Sequence, residues 1–203
     1  MNKGCSARGL LMLGLGLILL VVVGLLFYGQ SARSSAPRPM AGLAGFGSTA
    51  RQSFAPAAEL AAQWQADAGL ASVSRHWPEA GGQLSGEGEW AFQFFSPSTS
   101  RLALVTVTGE TASMTRESAS PYSVPTFSAA EWQVDSDQAL QAWWERGGST
   151  LLARRPGADL VMQLRVPEGG GNRPVWTVAG FVAGTEIVIS VAVDGTDGTM
   201  VEQ

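Results

Sequence analysis

Two residue types on which much protein chemistry depends are almost missing from this chain of 203 residues: it has one cysteine, Cys5, and one histidine, His76. A lone cysteine excludes an intramolecular disulfide. Cys5 precedes the first apolar run instead of following it, unlike the lipid-bearing cysteine of a lipoprotein. An inert thiol is expected, with juxtamembrane acylation as the alternative. A zinc site draws three or four ligands from His, Cys and carboxylates. One histidine and a distant cysteine leave too few, so no metal and no cofactor is expected. A Ser-His-Asp or Cys-His arrangement would have to use His76. Its surroundings, SVSRHWPEA, contain no nucleophile-elbow pattern and read as a solvent-facing loop or helix end. Walker-type and GxGxxG phosphate-binding patterns are absent as well.

Positive charge is scarce beyond the first quarter of the chain. Residues 56–203 hold all 17 acidic residues against eight arginines, a balance of −9. Such a body is a poor partner for nucleic acid. Its carboxylates pair in sequence at Glu87/Glu89 and Asp135/Asp137. General acid–base work needs such pairs to converge on a cleft with their pKa values pushed apart. Glu87 and Glu89 instead fall on one strand face opposite Trp90, the pattern of solvated edge charges. Asp135 fits a helix N-cap. The segment VDGTDGT, with Asp194 and Asp197, lacks the alternating ligands and closing Glu of an EF-hand and reads as a tight Asp-Gly turn. No catalytic residue is assigned, and the chain is not expected to be an enzyme.

What the sequence does have begins with an uncharged run of 19 residues, Leu10 to Tyr28. As a helix it would span about 28 Å, close to the hydrocarbon core of a bilayer. Residues 10–28 therefore read as a transmembrane helix behind a short tail, 1–9. No two glycines in the run are four apart, so it carries no GxxxG pairing signal. The expected placement is a single-pass protein of the cell membrane, N-terminus inside and the rest extracytoplasmic. The alternative is a signal peptide cleaved near Ala36, giving a secreted protein. Residues 29–55, rich in Gly, Ser, Ala and Pro, read as a flexible stalk.

Beyond the stalk the chain repeats itself. From Trp90 to Gly109 and from Trp176 to Gly195 the same layout recurs over the same 19-residue distance: a Trp opens an alternating run, a turn follows, and a second alternating run ends in Gly. Period-2 alternation with aromatic and β-branched residues predicts an antiparallel hairpin in each. A helix is expected before each hairpin. The first, about 56–69, has Leu60, Ala61, Trp64 and Ala68 on one face; the second, about 136–146, has Leu140, Trp143 and Trp144. Asp135 and Gln138 form a capping-box pair for the second, which Gly147-Gly148 ends. An additional strand is expected at 158–166. The fold class is α+β: two repeated units, 56–120 and 121–203, each a helix packed on a small antiparallel sheet and sharing a core.

These landmarks resemble the PepSY-like family. The correspondence runs through Trp90, Ser96-Pro97 and Gly109 in the first unit. In the second it runs through Trp132, Asp135-Ser136, Ala139-Leu140, Gly147-Gly148, Trp176, Asp194 and Gly198. The resemblance implies a helix across a curved antiparallel sheet, no catalytic residues, and an extracytoplasmic module that binds or restrains another protein, in some relatives a peptidase. No peptidase domain shares this chain. The expected function is thus a membrane-anchored, noncatalytic binding module for a protein or peptide partner, with strand addition to a sheet edge as its mode. A structural or assembly subunit of a membrane complex is the alternative, and a carboxylate-dependent hydrolase a third. Of seven tryptophans, Trp77 and Trp132 lie in connecting segments and are the candidates for an exposed partner-binding patch.

Overall fold

The computed structural model describes residues 47–80, 84, 88–168 and 171–202, all within one compact unit, Met40–Gln203. Seven strands form one antiparallel sheet: β1 (Gly69–Trp77), β2 (Trp90–Ser96), β3 (Arg101–Thr108), β4 (Thr111–Ala119), β5 (Asp159–Arg165), β6 (Val175–Phe181) and β7 (Val188–Asp194). Their spatial order is β4-β3-β2-β1-β5-β6-β7. Two helical segments cover one face: α1 (Phe54–Trp64), and the pair α2 (Ser136–Trp143) and α3 (Ser149–Arg154).

This corrects the expected fold of two helix-plus-sheet units. The first strands of the two halves pair with each other, Ser72 to Trp77 of β1 against Arg165 to Leu160 of β5, so the sheet runs unbroken through the junction. A single core follows from that pairing. Phe92, Val73, Leu164 and Trp176 sit opposite one another across successive strands, on the face toward the helices. Above them a chain of edge-on rings crosses the midline: Trp77–Trp90, Trp90–Trp176 and Trp176–Trp132, with centroids 6.3, 6.4 and 6.2 Å apart. Each such pair adds roughly 0.5–1.5 kcal/mol beyond area burial.

The helix starts are tied together as well. Asp135 caps α2, its carboxylate accepting from the Ser136 amide at 2.7 Å and its own amide donating to Gln138 Oε1 at 2.9 Å, the capping box expected from sequence. The same Asp135 carboxylate accepts from the Arg51 amide at 3.2 Å, and Ser136 Oγ accepts from the Ala50 amide at 3.0 Å. The segment leading into α1 thus hydrogen-bonds to the start of α2. Between α2 and α3 the chain kinks at Gly147, whose φ of +109° suits glycine.

The expected membrane placement is also corrected. Among the described residues no helix is long and apolar enough to cross a membrane, and the run 10–28 lies outside them. The single-pass topology, with its N-terminus inside and an extracytoplasmic body, is carried no further. The tail 1–9, Cys5 and most of the expected stalk also lie outside the described residues.

Candidate functional site: the uncovered face of the sheet

With the helices on one side, alternation sends every second strand residue to the other. On β5 the pattern is plain: Leu160, Met162 and Leu164 are buried, whereas Val161 and Gln163 are half-buried and Arg165 is exposed. The register carries this parity across the sheet. One row runs Ala192, Thr177, Gln163, Ser74, Ala91, Thr106, Ser113 through all seven strands. The next runs Arg165, Ser72, Gln93, Leu104, Arg116 from β5 to β4. Neighbours bond laterally: Thr106 Oγ1 lies 3.2 Å from Ser113 Oγ, and Ser72 Oγ 3.4 Å from Gln93 Oε1. The first row holds hydroxyls, one amide and methyl groups and no charge; Ser113 is exposed, Thr177, Gln163, Ser74 and Ala91 are half-buried, and Thr106 and Ala192 are buried.

His76 stands at the rim of this face, its imidazole 3.8 Å from Asp159 Oδ2. Asp159 Oδ1 also accepts from the Glu79 amide at 2.9 Å. The histidine read as a loop or helix end is therefore a strand residue. The other singled-out acids are spread apart. Glu87 lies outside the described residues, and Glu89 is exposed just before β2. Asp137 sits beside the cap, its carboxyl raised above the ordinary value by burial and by the charge of Asp135. Asp194 and Asp197 both take Arg173, at 3.1 and 2.9 Å, while Asp194 Oδ1 accepts from the Thr196 amide at 2.7 Å. That closes the C-terminal turn on itself. No group of three or more His, Cys, Asp or Glu suited to a metal occurs among the described residues.

Trp77 and Trp132, the two expected candidates for partner contact, are both in the core, 7% and 1% exposed. Trp132 Nε1 and Trp176 Nε1 donate to the same carbonyl, Val134 O, at 2.9 and 2.8 Å. The residue that sequence reasoning missed is Arg75. It occupies an inward position on β1, 3% exposed, with its guanidinium carbon 4.4 Å from the Trp77 ring centre and 5.5 Å from that of Trp90. Burial lowers its pKa to about 10. The signal was there: in Val73-Ser-Arg-His-Trp77 the arginine falls in the apolar phase of the alternation.

Neither sheet edge is a clean template. On β4 the register slips between Leu104 and Val105, leaving a bulge at Thr115, and charged Arg116 and Glu117 follow. On the second half of β7 the C-terminal residues take outer groups, the Val201 amide donating to Ala192 O at 2.9 Å and the Asp194 amide to Thr199 O at 2.8 Å. A groove of about 240 Å³ beside α1, lined by Ala58, Ala62, Ala66, Phe94 and Phe127 among others, has no titratable group in its wall.

No protein-family model matches the chain, and no curated protein does. Among solved structures it is similar to a candidate lipoprotein from Clostridium difficile 630, with 8% identity over 72% of this chain and 88% of that one and a TM-score of 0.42.

Proposed function

We propose that this protein is a noncatalytic module that binds a protein or peptide partner on the uncovered face of its sheet. The observation that carries this reading is the seven-strand row of Ser, Thr, Gln and Ala. A face meant only for water in a chain with 17 acidic residues would share in that charge. Here the central row carries none, the charges of this face (Asp159, Asp194, Arg116 and Arg165) standing in other rows, and charge depletion is the compositional mark of an interface core. Short side chains add a second advantage, because Ser, Ala and Thr lose little rotamer entropy on contact. The PepSY-like resemblance points the same way, toward a module that binds another protein, with a peptidase among the candidate partners. The bulged β4 edge and the half-capped β7 edge, which leaves only a short stretch from Val188 open, favour the face over strand addition.

The test is selection of binding peptides from a random displayed library against the full chain. Enriched peptides should lose binding to Ser74→Trp and to Thr177→Trp, each of which raises a large ring from the middle of the row, while both variants keep the parent's melting temperature within a few degrees. Binders indifferent to both substitutions, or no enrichment, would contradict the reading.

A further inference from the structure

The charges that remain on the uncovered face say what kind of peptide suits it. Three acidic residues lie within the strands, and each is engaged. Glu117 turns to the helix layer, where it meets Arg101 at 2.7 Å and Trp64 Nε1 at 3.0 Å. Asp159 faces His76, and Asp194 is held by Arg173. Two arginines on the open side are placed differently. Arg116 and Arg165 are both exposed, and among the described residues neither has a carboxylate within ion-pair distance.

They also lie on one row, Arg165–Ser72–Gln93–Leu104–Arg116, which ends at Arg116 on β4 and continues beyond Arg165 through Val175 to Asp194, the carboxylate that Arg173 holds. Four strand spacings at ~4.8 Å put them about 19 Å apart. An extended peptide rises ~3.3 Å per residue, so six residues cover about 20 Å. Six is even, so two side chains at that separation point to the same side of the peptide. A guanidinium fork takes a carboxylate through two parallel hydrogen bonds. Between the arginines, the half-buried Gln93 amide can meet peptide groups and the half-buried Leu104 offers an apolar contact, while Ser72 is buried and bonds to Gln93. The negative balance of the body acts weakly here, since exposed charges beyond ~8 Å are largely screened at physiological salt.

We propose that this face takes an extended acidic segment of a partner protein, lying across the strands, with two carboxylates six residues apart on Arg165 and Arg116. The proposal rests on the reading of the face as a peptide site and adds the chemistry and spacing of the ligand.

The experiment is fluorescence anisotropy of the full chain with a labelled 13-residue Ser/Thr/Ala peptide carrying Glu at positions 4 and 10. The expected result is saturable binding, weakened about threefold by Arg116→Gln or Arg165→Gln and about tenfold by the two together, in the range of exposed ion pairs. A peptide with its glutamates five apart, or with both replaced by Gln, should bind about tenfold more weakly. Lack of binding by the Glu peptide, equal binding of the Gln peptide, or indifference to both arginine substitutions would overturn the proposal. So would arginine-dependent binding of heparin fragments or phosphatidylserine vesicles without binding of the peptide. If the Gln peptide binds as well as the Glu peptide and is still lost in Ser74→Trp, the peptide-binding face stands and the acidic ligand falls.

Discussion

Trp143 shows how closely single residues are fitted. Its ring lies where a Cβ added at Gly180 would come within 2.4 Å of Cζ2, and its indole N–H donates to Ile189 O at 2.7 Å. Gly180→Ala must displace a ring that β7 holds in place. Overpacking of this kind costs about 1–3 kcal/mol, to be read as a lower urea midpoint. Gly157→Ala, with nothing within 4 Å of the new methyl, should leave the midpoint nearly unchanged. Arg75 is the second such residue. Arg75→Ala removes a buried stem and its stacking on Trp77 and Trp90, and is expected to cost about 2–4 kcal/mol by comparison with other large-to-small core substitutions and buried cation–π contacts. A loss below ~1 kcal/mol in urea denaturation would show that the guanidinium contributes little there.

Among elements, the caps and turns carry the sharper predictions. Asp135→Ala deletes the α2 cap together with the bond to the Arg51 amide, and should cost about 1–2 kcal/mol. Asp135→Asn, which keeps an acceptor oxygen, should recover most of it. Asp67 joins the end of α1 to the β2–β3 turn, its carboxylate accepting from Ser96 Oγ at 2.7 Å and the Ser98 amide at 2.8 Å. The hydrogen bonds from Ser96 and then Ser98 hold its pKa below the ordinary 3.8. Its stabilisation is therefore complete above the unfolded value and is lost as pH falls through the lower folded one. The melting-temperature gap between the parent and Asp67→Asn should stay constant from neutral pH down to about 5 and close in more acid solution. A gap that widens on acidification would reverse the sign.

These elements also show what the sequence made legible. Both hairpins announce themselves through Trp-led alternation, and α2 through Asp135 and Gln138. The strands β1 and β4 do not. In β1 the period slips at a bulge between Leu70 and Ser72, and Arg75 occupies an inward site that an apolar residue would normally mark. In β4, TASMTRESA is an edge strand without a buried residue, so it has no apolar phase to read. Missing those two strands hid the β1–β5 junction and, with it, the face on which Ser72, Ser74 and Arg116 come together. Site and fold were lost for one reason: a face exists only once every strand's parity is known.

For the whole molecule, the β1–β5 pairing and the chain of four tryptophans make the two halves one cooperative body. Heating should give a single transition with equal calorimetric and van't Hoff enthalpies. Two separable transitions would restore the picture of independent units. The helices serve as backing that fixes seven strands in register, and the opposite, partly exposed product of that register is an uncharged row flanked by Arg116 and Arg165. Its use as a binding face is tested most directly by amide chemical-shift mapping of the full chain with a peptide enriched against it. The account predicts perturbations at Ser72, Ser74, Ala91, Gln93, Gln163 and Thr177, on neighbouring strands across the middle of the sheet. Perturbations confined to the β4 edge or to the groove beside α1 at Ala58, Ala62 and Phe127 would contradict it.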